Sequence, residues 1–517
     1  MQPETEGERL ILARSVAGET ADLASLPEAE RRVRGAFLAA LLWGEAEDAP
    51  GARVAVHRRG LTVIGARIDG EVDISDLGAI EGPAPQVLLR HCTAWGGDGG
   101  FALTARGASL RRLDLSHARL SKVVAHGLRT VGDALFRCAT VSGGVSLTDA
   151  AIGGPLVLSG ASLTAHDGGA ALAADRAEIK GSVFLSPADV HRFEARGAVR
   201  LPGATIGGDL RLSNASLAPH PNDDNRLVLS LRKARIGDRL KVEGFTATTG
   251  VIDLSGAHAM VLDDIASDRP QQLGWGENDG DRPPCDPRTG ALRGVELRLH
   301  GFTYDTLALP EGDRHASTDL GQARLAWLRR QSAARRPQPR HYTPQPHEQL
   351  IRVLRALGYG AEADHFARDK RAWQLACRVE PWWRRLWARF VGLAFGHYYS
   401  SLRGLATLAL LVGLGTAGAM GAADRGVLVR ADAPRGEAEP CWRDFAWSSA
   451  EAWVKAGALA ATQFAPVITV PGGPACAIRE DAPAAWAWML GRIGYALLGL
   501  LVVPMAVLTF TGVLRRD

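Results

Sequence analysis

Between residues 60 and 262, apolar and polar residues alternate with a period of two, in short runs separated by turns. Side chains two apart share one face of a strand, so the pattern predicts strands rather than helices. One unit recurs: Ala-x-Ile-x-Gly-x-Leu-x-Leu, often followed by Ser-x-Ala-x-Leu, with Val standing in for Ile or Leu. The copies are ARIDGEVDI (66–74), ATVSGGVSL (139–147), AAIGGPLVL (150–158), AEIKGSVFL (177–185), ATIGGDLRL (204–212) and ARIGDRLKV (234–242). The second half reads LDLSHARL (113–120), LVLSGASL (156–163), LRLSNASL (210–217) and IDLSGAHAM (252–260). Ala150, Ala177 and Ala204 are 27 residues apart. Strands this short bury their inward residues only by stacking on the next copy, which predicts a parallel β-helix over 60–310. Arg67, Asp69, Glu71, Asp73, Glu178, Lys180, Asp209 and Arg211 are then outward. A twisted β-sandwich of short strands is the competing arrangement.

The flanks read differently. Residues 1–24 are polar and acidic and lack the basic-then-apolar order of an export signal, so the chain is expected to start in the cytoplasm. Ser25-Leu26-Pro27-Glu28 has capping-box spacing. Val33, Phe37, Leu38, Leu41 and Leu42 follow at helical spacing, predicting one helix over 26–43. Residues 1–59 thus form a tail and a capping helix. Residues 264–345 are poor in apolar runs; within them QQLGWGENDGDRPPCDPRTG (271–290) reads as a long loop and 294–307 as one last coil. A neck over 311–402 holds a helix at 319–336, an extended linker and a helical hairpin broken at Gly358-Tyr359-Gly360. Leu350, Val353, Leu354 and Leu357 line one face of that hairpin. In VEPWWRRLWARF (379–390), Trp382, Trp383 and Trp387 interleave with Arg384, Arg385 and Arg389. Trp favours the headgroup layer and Arg the lipid phosphates, so this helix is expected at a membrane interface.

Two apolar stretches, 404–423 and 493–514, carry no charge over 20 and 22 residues. About 20 helical residues cross a ~30 Å hydrocarbon layer, so both read as transmembrane helices. Arg384, Arg385, Arg389 and Arg403 precede the first, and Arg515 and Arg516 follow the second. The positive-inside rule places both termini in the cytoplasm and 424–492 outside, although Arg492 sits at the outer edge of the second span. Gly413, Ala417 and Gly421 give the first span a small-residue face, and Pro504 should kink the second. The external loop holds Cys441 and Cys476, whereas Cys92, Cys138, Cys285 and Cys377 fall on the cytoplasmic side. An oxidising exterior then favours a Cys441–Cys476 disulfide. Residues 448–473 admit two readings: a helix on the outer surface, or a re-entrant half-helix followed by an extended segment. In the second, Thr462, Gln463, Val467, Ile468 and Thr469 would line a pore.

Composition narrows the function. Sixty basic residues face 56 acidic ones, for a net charge of +4, so nothing favours nucleic acid as a partner. Hydrophobic residues make up 46%, enough for a sizeable core. His347-Glu348-Gln349-Leu350-Ile351 begins like a zinc-protease motif, but Ile351 stands where the second His belongs. No cysteine pair has zinc-ligand spacing, and neither a phosphate-binding loop nor a nucleophile elbow occurs. The glycines at 96–100 lack a strand–helix frame for a dinucleotide. No catalytic residue, cofactor or metal is therefore expected.

LDLSHARL and LRLSNASL resemble the A-(D/N)-L-x-x units of the pentapeptide-repeat type of right-handed β-helix, in degenerate form. The whole order resembles a group of bacterial proteins in which such a solenoid precedes a two-span membrane segment. RRVRGAFLAALL, GARIDGEVDI, ELRLHGFTYDTL, ARLAWL, TPQPHEQLIRVLRALGYGAEAD and the two apolar spans carry that resemblance. It implies a mainly β fold, a right-handed parallel β-helix in a multi-pass protein of the bacterial inner membrane. Some members are labelled membrane-associated oxidoreductases; no residue pattern here supplies that chemistry. The leading expectation is a non-enzymatic, membrane-tethered scaffold or sensor. It contacts membrane lipids, binds a protein partner on the solenoid face and forms a homo-oligomer. A two-transmembrane ion channel gated by the solenoid is the alternative, and an oxidoreductase the third reading.

Overall fold

A computed structural model describes the chain except residues 79–83, 97–98, 248, 267–268, 274, 276–293, 309–323, 326, 329–342, 378–381, 396–400, 432–438, 443–445, 466–475, 483 and 512–517. The chain forms two compact units, Met1–Ala367 and Arg368–Asp517.

The first unit is mostly parallel β-sheet. Its strands build a sixteen-stranded and a thirteen-stranded sheet, with one small parallel sheet beside them, counted among the described residues. The repeat dictates the register. Ala151 pairs with Glu178 and Glu178 with Thr205, so here each strand meets its own equivalent 27 residues on. Inward positions therefore stack like on like: Ile152, Ile179, Ile206 and Ile236 form one buried column. Leu156, Val183, Leu210, Leu240, Leu262 and Leu307 form another. Val145, Leu172, Val199, Leu229, Ile252 and Leu297 stack in the thirteen-stranded sheet. Each aliphatic side chain buried this way contributes about 1.5–3 kcal/mol relative to exposure. Ala150, Ala177 and Ala204 are buried at the turns between strands, where only a small side chain fits. The expected strands at 294–307 are present as Gly294–Arg298 and Thr303–Leu307, paired with Thr249–Asp253 and His258–Asp263.

The N-terminus differs from the expected single helix at 26–43. Helix α1 spans Glu6–Ala17 within the supposed tail, capped by the Thr5 hydroxyl, which accepts from the Glu8 N–H. A 3-10 turn at Glu28–Arg31 and a strand at Arg32–Arg34 precede the shorter helix α2, Gly35–Leu42. Tertiary pairing overrides the helical spacing: Val33 joins a parallel ladder beside Ile68, and Arg34 donates to the buried Glu8 carboxylate. Burial pushes the Glu8 carboxyl up, but hydrogen bonds from the Arg34 side chain and two backbone N–H groups hold it below its usual range.

At the other end, helix α3 (Gln345–Ala356) packs on the last strand, with Leu350, Val353 and Leu354 buried and Leu357 largely exposed. The Gln345 side chain accepts from the Gly301 N–H and donates to the Phe302 carbonyl, while Gln349 donates to the Tyr304 carbonyl. Helix α4 (Gly360–Cys377) follows a left-handed Gly358, so the chain breaks between two helices at the expected Gly-Tyr-Gly. Of the helix expected at 319–336, residues 324–325 and 327–328 are described, and they are helical. Arg324 donates two hydrogen bonds, 2.6 and 2.7 Å, to Asp264, and both side chains are fully buried. Trp275 donates its Nε1–H to the same carboxylate, and the Arg324 guanidinium lies 5.2 Å from the Trp327 ring.

Replacing Asp264 with Ala strands a buried guanidinium. Denaturant unfolding followed by β-sheet circular dichroism should show a loss of about 3–5 kcal/mol, largely recovered by the Asp264→Leu/Arg324→Met double replacement. Unchanged stability of the single variant would show that the clasp does not hold this end of the unit. Burial pushes the Cys92 thiol up to about 12. Peptide mapping after alkylation at pH 8 should therefore find Cys92 unmodified until the chain is unfolded.

Candidate functional site

Two places in the molecule could bind something. The first lies on the side of the sixteen-stranded sheet. A groove of about 760 Å3 runs across successive strands there, lined among others by Arg129, Val131, Asp149, Arg176, Glu178 and Lys180. The parallel register creates it, because residues at equivalent outward positions stand in a row: Arg129, Ala151, Glu178, Thr205. Arg176 donates two 2.7 Å bonds to Asp149, and this pairing lowers the Asp149 carboxyl and raises Arg176. Arg129 and Lys180 make no ion pair among the described residues, and Val131 is 73% exposed.

Near another row of turns, His91, His117 and Cys138 occupy left-handed backbone positions. The two imidazoles stack, 4.5 Å between centroids and 4° from parallel. Burial, then the neighbouring His91, lowers the His117 pKa. Burial and the Asp189 carboxylate, 3.9 Å from Sγ, raise the Cys138 thiol, which opposes nucleophilic reactivity. Among the described residues, no three His, Cys, Asp or Glu side chains are placed to hold a metal. His347 is buried on the face that α3 turns toward the sheet.

The second place is in the C-terminal unit. Helix α5 spans Trp382–Phe395, and the apolar helices α6 (Ser401–Asp424) and α8 (Ala485–Thr511) are each long and apolar enough to cross a membrane. Helix α8 starts eight residues before the expected 493, so Arg492 lies inside the helix rather than at its edge. It continues through Pro504. Between α6 and α8 lies α7, Ala450–Phe464, whose first turn is closed by the Ser449 hydroxyl accepting from the Ala452 N–H. Ala452 and Ala456 pack with Met420 and Ala422 near the end of α6. Twelve residues on from Ala452, Phe464 packs with Leu408 and Leu411 of the first half of α6 and with Val502 and Met505 of α8. At about 1.5 Å per residue, α7 thus runs ~20 Å alongside both apolar helices instead of lying apart from them. Gly499 permits this: a Cβ there would overlap the Phe464 carbonyl oxygen.

No family model, curated protein or solved structure matches the chain.

Of the residues singled out from sequence, Cys441 and Cys476 are brought to disulfide distance, with Cα atoms 5.8 Å apart, where Cys476 opens a strand (Cys476–Ile478) that pairs antiparallel with Leu428–Arg430. On α5, Trp383, Trp387 and Arg389 are exposed; Trp382, Arg384 and Arg385 belong to the same helix, but their side chains lie outside the described residues. Thr462 donates to the Ala458 carbonyl, and Gln463 lines a crevice between α6, α7 and α8. Val467, Ile468 and Thr469 lie outside the described residues. The small-residue face behaves differently from expectation. Gly413 meets no neighbour, and the close approach is one face away, where Tyr495 lies against Gly415 and donates to the Leu411 carbonyl.

A Gly499→Leu replacement should push α7 off α8. Size-exclusion and thermal-scan assays of the detergent-solubilised protein should show lost monodispersity or a melting point lower by several degrees, since overpacking costs about 1–3 kcal/mol or more. A variant that behaves like the parent would mean that this contact is loose.

Proposed function

We propose that the chain is a non-enzymatic, membrane-tethered scaffold or sensor. In this reading the ladders wind as a right-handed β-helix, a degenerate pentapeptide-like solenoid, that offers its side groove to a protein partner. The observation that carries the proposal is the apolar girdle on α6 and α8: Leu405, Leu410, Leu414, Ile493, Leu497 and Phe510 are each at least half exposed. Water would not tolerate such a surface, whereas lipid covers it at no cost. Arg403 before α6 and Arg515 and Arg516 after α8 favour cytoplasmic termini in a bacterial inner membrane. The cysteines agree: the paired Cys441 and Cys476 fall in the segment assigned outside, and the free Cys92 and Cys138 in the unit assigned inside. A rigid repeat surface with an exposed Val131 beside Arg129 and Lys180 suits an acidic, partly apolar protein surface. This keeps to the bacterial solenoid-plus-two-span group that the motifs resemble.

A second reading, an oligomeric pore, is favoured by one feature: α7 lies along both apolar helices, as a re-entrant helix would. A fourfold particle in detergent together with bilayer conductance would support it; a monomer or an occluded dimer removes it.

To test the scaffold, a photoreactive amino acid is placed at Val131 of the full chain in native membranes. One discrete protein adduct is expected from position 131, lost when Arg129 and Lys180 are both changed to Glu, and none from the still more exposed Val190. Equal labelling from both positions would count against a partner at the groove.

A further inference from the structure

The crevice between α6, α7 and α8 has a volume of about 390 Å3. Most of its lining is aliphatic or glycine, including Leu414, Gly418, Leu459 and Leu498. Two of its polar groups stand out: the Gln463 amide and the Arg492 guanidinium make no hydrogen bond or ion pair among the described residues. The hydroxyl of Tyr495, also in the lining, already donates to the Leu411 carbonyl. Arg425 lies 5.9 Å from the ring of Trp488, which also lines the crevice, so a second cation stands near it.

An arginine in an apolar helix is costly unless it reaches water or an anion. Helix α8 has 27 residues, about 40 Å at 1.5 Å per residue, against a hydrocarbon layer of about 30 Å. Arg492 lies seven residues from Ala485, about 10 Å along the helix, one turn beyond Trp488. Trp486, 71% exposed, marks the headgroup level at that end. From this depth a guanidinium extends back toward the phosphate layer. Arginine binds phosphate through two parallel N–H donors, whereas Gln463, next to Phe464 at the level of Gly499, lies deeper in the crevice. The apolar crevice below would take an acyl chain.

We propose that this crevice binds one anionic phospholipid, its headgroup phosphate on Arg492 and one acyl chain between α6 and α8. The proposal rests on reading α6 and α8 as membrane spans. Its chemistry separates the lipid from a free anion, which lacks the chain, and from a zwitterionic lipid, whose ammonium meets two arginines.

The full-length protein, purified and delipidated in a neutral detergent, is titrated with phosphatidylglycerol, phosphatidylcholine or inorganic phosphate. Thermal shift and native mass spectrometry are the readouts. Phosphatidylglycerol should bind saturably and raise the melting temperature; the other two should not. Arg492→Gln should weaken phosphatidylglycerol binding about tenfold or more, the expected loss of one charge-assisted contact. Leu414→Trp, which fills the apolar part and leaves the arginine in place, should weaken it as well. Wild-type binding by either variant, equal binding of phosphatidylcholine, or the same shift from phosphate alone would overturn the proposal. A chain that stays soluble without any detergent would instead remove the membrane reading itself.

Discussion

The buried column of Ile152, Ile179, Ile206 and Ile236 holds the first unit together, and it depends on register. In a parallel ladder every residue faces its own equivalent, so a repeat that keeps Ile at one position builds a continuous aliphatic stack. A one-residue slip would turn each Ile outward and bring Glu178 or Arg235 into the interior. The register therefore fixes more than the core. It also sets the outward row of Arg129, Ala151, Glu178 and Thr205, and so the groove proposed to receive a partner.

The same logic decides what the sequence could reveal. The 27-residue spacing of Ala150, Ala177 and Ala204 was legible because the period of the pattern is the period of the structure. The two apolar helices and the cysteine pair were legible because an uncharged run of 20 residues and two cysteines set apart from the other four are marks of composition. The N-terminus was not, because Val33, Phe37, Leu38 and Leu41 recur at helical spacing, and only the partner strand at Ile68 makes Val33 part of a ladder. Asp264 and Arg324 are 60 residues apart, and neither carries a local signal of its pairing. The crevice was half legible. Gln463 drew attention as part of a possible pore segment and Arg492 as an exception to charge asymmetry, but nothing local showed that they line one space.

In the second unit a glycine decides the packing. Gly499 lets the backbone of α7 touch α8, which draws Phe464 into the cluster of Val391, Ala394, Val502 and Met505. The three helices then leave between them the space that Arg492 and Gln463 line. Scaffold and pore readings share this geometry and differ in what surrounds it.

Two glutamine side chains at the far end of the ladder have a consequence for solution behaviour. A parallel sheet that simply stopped at Thr303–Leu307 would offer open backbone donors and acceptors to the same strand of another molecule. Gln345 and Gln349, one helical turn apart, occupy that row with amides that mimic a neighbouring strand. Helix α3 therefore acts as a stopper against end-to-end fibre growth.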